Sequence, residues 1–162
     1  MEETAKTPSQ SAVESRYLVM PQHANPFGTA FGGVLMSWID MVASMAAQKH
    51  CGTEVVTVSI DSLSFEQPIR IGDQVVLRAS VNYVSRTSME VGVKVLRENP
   101  ITNESTPATK AYLTFVAIDA AHRPIPAPPL VPQTEEEKRR AANAALRVRA
   151  RKLLRQQVKT GA

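Results

Sequence analysis

The chain has 162 residues, 43% of them apolar and 21% charged, with 11 Pro, 7 Gly and one Cys. That length favours one domain of ordinary size, and a single cysteine excludes both an internal disulfide framework and a Cys-rich zinc site. The net charge of +4 conceals two halves: residues 1–137 hold ten Lys and Arg against all fifteen acids, a balance of −5, whereas residues 138–162 hold nine cations and no acid. The start, Met1-Glu2-Glu3, is acidic rather than a basic leader before an apolar core. The longest nearly apolar run, Val34 to Ala47, is short and carries Asp40, so no membrane span is expected. These features predict a soluble, cytoplasmic protein. Aromatics are 5% of the chain and none lies in the basic tail, so nucleic acid is not the expected partner.

In chain order, residues 1–14 are polar and read as a flexible arm. Residues 15–132 form the expected domain. Within it, Gly33 to Lys49 is the strongest helix. Its polar members Ser37, Asp40, Ser44 and Gln48 share one narrow stripe at 100° per residue, and the other sides are apolar, which predicts a helix buried on most sides. Period-two alternation follows. Val56, Val58 and Ile60 are in one phase and Leu63 and Phe65 in the other, so a β-bulge is expected near Asp61-Ser62. Residues 68–73 read as a loop. Val75, Leu77, Ala79, Val81 and Tyr83 alternate with Arg78, Ser80 and Asn82, a half-exposed strand. After a turn at Ser85 to Ser88 comes a strand through Met89, Val91, Val93 and Val95, and Lys110 to Ile118 is the last. A proline-rich stretch, Arg123 to Pro132, is expected to be extended. Residues 133–162 read as a charged helix opened by the capping box Thr134-x-x-Glu137. A central helix followed by a run of antiparallel strands is α+β, not alternating βαβ.

Several chemistries can be weighed from residue types alone. His23-Ala-Asn-Pro-Phe-Gly-Thr-Ala-Phe-Gly-Gly33 runs straight into the buried helix, whose first N–H groups lack partners. It has no Gly-Lys-Ser/Thr ending and no strand-first GxGxxG context, so phosphate and dinucleotide loops are disfavoured. A tight packing turn and an oxyanion site remain open. Asp40, a carboxylate in an apolar helix, either meets water with the rest of its stripe or lines a pocket as base or nucleophile. No Gly-x-Ser-x-Gly elbow is present. His50-Cys51 reads as a plain helix end, and the three histidines lack metal-ligand spacing, so no metal is implied. Arg86-Thr87-Ser88 could grip a phosphate or be a solvated hairpin tip.

Five motifs occur in a fixed order: Asn25-x-x-Gly28-x-x-Phe31-Gly32-Gly33-x-x-Met36-x-x-x-Asp40; Val56-Thr57-x-Ser59-x-Asp61-x-x-x-Phe65; Ile71-Gly72-Asp73; Arg86-Thr87-Ser88-Met89-Glu90; and Thr114-Phe115-Val116. Together they resemble the hotdog-fold acyl-CoA thioesterases, both the small bacterial type and the single repeats of the brain-type cytosolic enzyme. The resemblance implies a single hotdog domain, an antiparallel sheet wrapped around one long central helix, with a basic C-terminal helix added. It implies hydrolysis of fatty acyl-CoA to free acid and CoA, with no cofactor. Asp40 then matches the family's catalytic carboxylate, Asn25 the asparagine that orients water or thioester, and Gly32-Gly33 the backbone that polarises the carbonyl. Arg86, Thr87 and Ser88 match the segment that contacts the CoA phosphates. It also implies a homo-oligomer, a dimer unit with shared sites built into a trimer of dimers, a hexamer. The rival reading is a non-catalytic acyl-CoA-binding module. The basic tail reads as a solubility device.

Overall fold

A computed structural model describes residues 4–160, so the acidic start Met1-Glu2-Glu3 and the last two residues of the tail lie outside it. Two short N-terminal elements come first, helix α1 (Pro8–Ser11) and strand β1 (Val13–Leu18), and then a 3-10 turn at Pro21–His23. The long helix α2 (Gly32–Cys51) follows. Four strands come next, β2 (Glu54–Phe65), β3 (Gln74–Val84), β4 (Ser88–Glu98) and β5 (Ser105–Ile118), and α3 (Glu135–Thr160) ends the chain. The five strands form one antiparallel sheet in the order β1-β3-β4-β5-β2. This is the hotdog arrangement that the resemblance implies.

Alternation decides how the sheet is filled. Val75, Leu77, Ala79 and Val81 of β3, Met89, Val91 and Val93 of β4 and Leu113 and Phe115 of β5 share one face with Leu35, Trp38, Ile39, Val42 and Ala46 of α2. Removing that much apolar surface from water is the main stabilising term. Helix α2 ends at Gly52, whose φ of +72° is the left-handed cap that glycine adopts without strain.

Three expectations need correction. From residue 4 on, the arm is built into the fold: Thr7 caps α1 in a capping box, β1 pairs with β3 along Val13–Leu18, and Lys6 Nζ donates to the carbonyl oxygens of Lys49 and His50. A polar segment is held here by backbone pairing and by filling acceptors at a helix end, which composition does not reveal. The half-exposed face expected of β3 is only partly open: Arg78 meets water, but Ser80 and Asn82 are buried. Helix α3 supplies the cover. Its start shows the expected capping box, with Glu137 N–H donating to Thr134 Oγ1 while Glu137 Oε2 accepts from the N–H groups of Gln133 and Thr134. Glu137 Oε1 also accepts from Ser9 N–H, and these N–H donors, that of Gln133 foremost, hold its carboxyl below the usual range. Further along, Arg147 forms a 2.7 Å ion pair with the fully buried Glu90, and Arg151 bridges Glu90 and Asp61 at 3.3 Å each. The tail is therefore a structural layer. Removing one partner of such a buried pair costs about 3–5 kcal/mol, because the other charge is left unpaired away from water.

The third correction concerns β2, which carries two bulges rather than one. The register against β5 shifts between Thr57 and Ser59 and again between Ile60 and Ser62. The second is the bulge expected near Asp61-Ser62. The first reverses the phase early, so that Ile60 pairs with the core residue Leu113 while Val58 lines a cavity beneath α3. The two extra residues re-aim Asp61 toward Thr114 Oγ1, which donates to it at 2.6 Å, and toward Arg151.

Candidate active site

The loop before α2 is folded tightly on itself. Asn25 Oδ1 accepts from the N–H groups of Phe27 (3.0 Å) and Thr29 (3.3 Å), and Asn25 Nδ2 donates to Thr29 Oγ1. Gly28, with φ +77°, makes the reversal that a side chain would strain. Ala30 N–H donates to Ile69, and Phe31 N–H to His23. His23 stands edge-on to Trp38 of α2, which stacks on Tyr17 of β1 at 4.5 Å. The loop is thus pinned to the helix it introduces, and Asn25 is half-buried.

Gly32 and Gly33 open α2, and among the described residues their N–H groups have no acceptor. That is the ordinary state of a first helical turn, and it presents positive partial charge outward. The glycines also admit two aromatic rings. A Cβ on Gly33 would lie 2.5 Å from Phe31 Cε1, and one on Gly32 3.4 Å from the Phe65 ring.

Asp40 stands on the side of α2 that the sheet does not cover. Sequence periodicity predicts a helix buried on most sides, but Met36, Met41 and Met45 are about two-fifths exposed. The reason is geometric: one sheet layer covers one side of a helix. The two serines of the stripe are occupied locally, with Ser37 Oγ donating to Val34 O and Ser44 Oγ to Met41 O. Asp40 reaches across to β2, where its Oδ1 accepts from Thr57 Oγ1 at 2.8 Å. Thr57 lies in the Val56-Thr57-x-Ser59 motif, to which sequence reasoning alone assigns no role. Its hydroxyl on an otherwise apolar stretch of strand was the available signal. Asp40 and Asn25 share no hydrogen bond.

Arg86, Thr87 and Ser88 stay together in the β3–β4 turn. The Ser85 and Ser88 hydroxyls pair at 2.7 Å, Arg86 O accepts from Ala127 N–H, and Thr87 O from Ala117 N–H. The Arg86 side chain is exposed and has no acidic partner among the described residues. Those residues contain no cluster suited to a metal ion, and no helix long and apolar enough to cross a membrane. His50 is buried at the end of α2 with Nε2 2.8 Å from Pro128 O and Nδ1 unpartnered, and burial pushes its pKa down.

The arrangement offers a carboxylate steadied by a hydroxyl, unpaired N–H donors at a helix start, an apolar uncovered surface and a cationic turn. Residues 27–103 match the thioesterase superfamily. The acyl-CoA thioester hydrolase YkhA of Bacillus subtilis is 46% identical over 128 residues, 79% of this chain and 74% of that protein. The rat cytosolic acyl coenzyme A thioester hydrolase is 35% identical over 136 residues, although this chain spans only 36% of it. An acyl-CoA hydrolase from Staphylococcus aureus, solved with butyryl coenzyme A and coenzyme A, superposes with a TM-score of 0.91 at 38% identity, covering 97% of this chain and 96% of that one. Further structures of the S. aureus enzyme carry alanine at an aspartate, at an asparagine fifteen residues before it, and at a threonine seventeen residues after it. A hexameric acyl-CoA thioesterase superposes with a TM-score of 0.89 at 41% identity, covering 92% and 96%.

Proposed function

Because the chain belongs to the thioesterase superfamily and is an acyl-CoA thioester hydrolase, we propose that Asp40 is the general base that activates water for attack on the thioester carbonyl. The observation that carries this is the Thr57–Asp40 hydrogen bond on the uncovered side of α2. It leaves Oδ2 open to a water while the hydroxyl fixes the carboxylate plane. Asn25, Asp40 and Thr57 also have the same two spacings, fifteen and seventeen, as the residues replaced in the S. aureus enzyme.

In this reading water adds to the carbonyl carbon as Asp40 takes its proton. The oxyanion that forms accepts from the N–H groups of Gly32 and Gly33, donors already oriented before the charge develops. The C–S bond then breaks, the CoA thiolate leaves and the proton returns to it from Asp40. No cofactor is needed, since the only groups at work are a carboxylate, water and backbone donors. Arg86, Thr87 and Ser88 take phosphates of the CoA nucleotide by charge and hydroxyl contacts.

Two copies share each site. From Gly33 to Asp40 the helix rises about 10 Å, at 1.5 Å per residue, too far for one chain to focus both on a single thioester. A two-fold pairing sets the Asn25 loop and glycine pair of one copy against Asp40 and Thr57 of the other. It would also cover the exposed Phe31, Met36, Met41, Met45 and Phe65. The hexameric relative supports a trimer of such dimers, and the cytosolic relative supports a cytoplasmic setting. A binding module without hydrolysis would leave the Asp40–Thr57 pair without a use.

Asp40→Asn tests this directly. A positioned base contributes about 10²–10⁴-fold, so thiol release from acyl-CoA falls at least 10²-fold while CoA binding persists. A folded Asp40→Asn variant with most of its activity would overturn the assignment.

A further inference from the structure

Helix α3 commits some of its arginines to buried acids and turns two other cations, Lys152 and Arg155, toward a cavity. Arg147 and Arg151 are committed: they neutralise the buried Glu90 and Asp61, Arg147 also lies over the Tyr112 ring at 3.6 Å, and Arg151 donates to Thr114 Oγ1. One turn further on, Lys152 and Arg155 have no acidic partner among the described residues. They line a cavity of about 90 Å³ between α3 and the sheet. The opposite wall includes Ser88, the last residue of the Arg86-Thr87-Ser88 turn, together with Tyr83 and Thr114. Cations from the C-terminal helix and hydroxyls from β3, β4 and β5 therefore converge on one small space beside the turn already assigned to the nucleotide.

The charge distribution gives this placement a purpose. Residues 1–137 carry −5, which repels a polyanionic nucleotide, while the nine cations of residues 138–162 reverse the local field. Docking through Glu137 at one end and Glu90 in the middle sets where α3 lies, and so where Lys152 and Arg155 stand.

We propose that Lys152 and Arg155 complete the substrate's nucleotide subsite, holding a phosphate of CoA in this cavity together with Ser88, and that α3 is thereby a binding element of the enzyme. The inference rests on the acyl-CoA reading above and adds residues to it. The tail was expected to serve solubility. In this reading it supplies half of the phosphate grip.

The test is the double variant Lys152→Gln and Arg155→Gln, which keeps helix-forming side chains, assayed with acyl-CoA and with the matching acyl-pantetheine thioester, which has no nucleotide. Arg149→Gln, exposed and outside the cavity, is the charge control. KM for acyl-CoA should rise at least fivefold, with a shallower salt dependence, while KM for the pantetheine thioester and the control's KM for acyl-CoA stay unchanged. An unchanged KM for acyl-CoA overturns the proposal, and so does an equal loss on both substrates, which would mean the cations act through the fold. If the wild-type chain hydrolyses neither thioester, the function has failed and this inference is judged by calorimetric binding of free CoA: weaker binding to the double variant upholds it, equal binding overturns it.

Discussion

Replacing Thr57 by valine isolates the contact on which the proposed mechanism turns. Valine is nearly the same shape and suits a strand equally well, so β2 keeps its pairing and stability changes by no more than about 0.5 kcal/mol. What is lost is a 2.8 Å donation from a hydroxyl to a carboxylate. Hydrogen bonds to charged groups contribute about 1.5–3 kcal/mol, and since this pair is exposed in the single chain the lower end applies, about 1.5 kcal/mol. Expressed in the transition state, where the carboxylate must hold the angle that accepts a proton from water, that is roughly tenfold in kcat. Thr57→Ser keeps the donor and should stay within about twofold of wild type, by the same principle. The assay is thiol release at saturating acyl-CoA, with KM measured in parallel. The effect belongs in kcat, because neither the nucleotide turn nor the acyl surface is touched. Full kcat in a folded Thr57→Val variant would show that Asp40 needs no orienting partner, and a drop in Thr57→Ser as large as in Thr57→Val would show that the methyl group, not the hydroxyl, matters.

Two more outcomes follow from the same geometry. If sites are shared, Asn25→Ala and Asp40→Asn chains, each nearly inactive, should recover about a quarter of wild-type activity when unfolded, mixed and refolded, since half the dimers are mixed and each has one intact site; mixed dimers shown to form yet inactive would place both residues in one chain's site. His50 predicts an acid-sensitive fold. Its folded pKa lies below the usual 6.5, chiefly through burial, so the unfolded chain takes the proton first, stability is complete above pH 6.5 and is lost as pH falls from there toward the folded value. The unfolding free energy from urea titration should fall as pH drops below 6.5, by at most about 1.4 kcal/mol per pH unit for one proton, and a His50→Gln variant should lose that pH dependence. The carboxylates with lowered pKa, such as Glu137, act only at lower pH, below their usual 4.5.

Much of this protein was determined by residue order alone. The helix over Gly33–Lys49 was readable because its period is set by local backbone geometry, and it came out two residues longer at the C-terminal end and one at the other. The bulge at Asp61 was readable because a strand's faces alternate strictly, so a slip in phase has no other local cause. The Thr134–Glu137 capping box was readable because both partners lie within one turn. Asn25, Asp40 and the glycine pair could be singled out as types in a spacing. Tertiary structure decided the rest, where the partner lies far along the chain. Asp40 finds Thr57 seventeen residues away, across a helix-to-strand crossing that hydropathy does not encode. Sequence pattern does not sort the cations of the basic tail, and only its docking on Glu90 and Asp61 separates the committed Arg147 and Arg151 from Lys152 and Arg155, which face the cavity. A charge declares its sign in sequence, but what it neutralises depends on which other charge has been buried within a few ångströms of it.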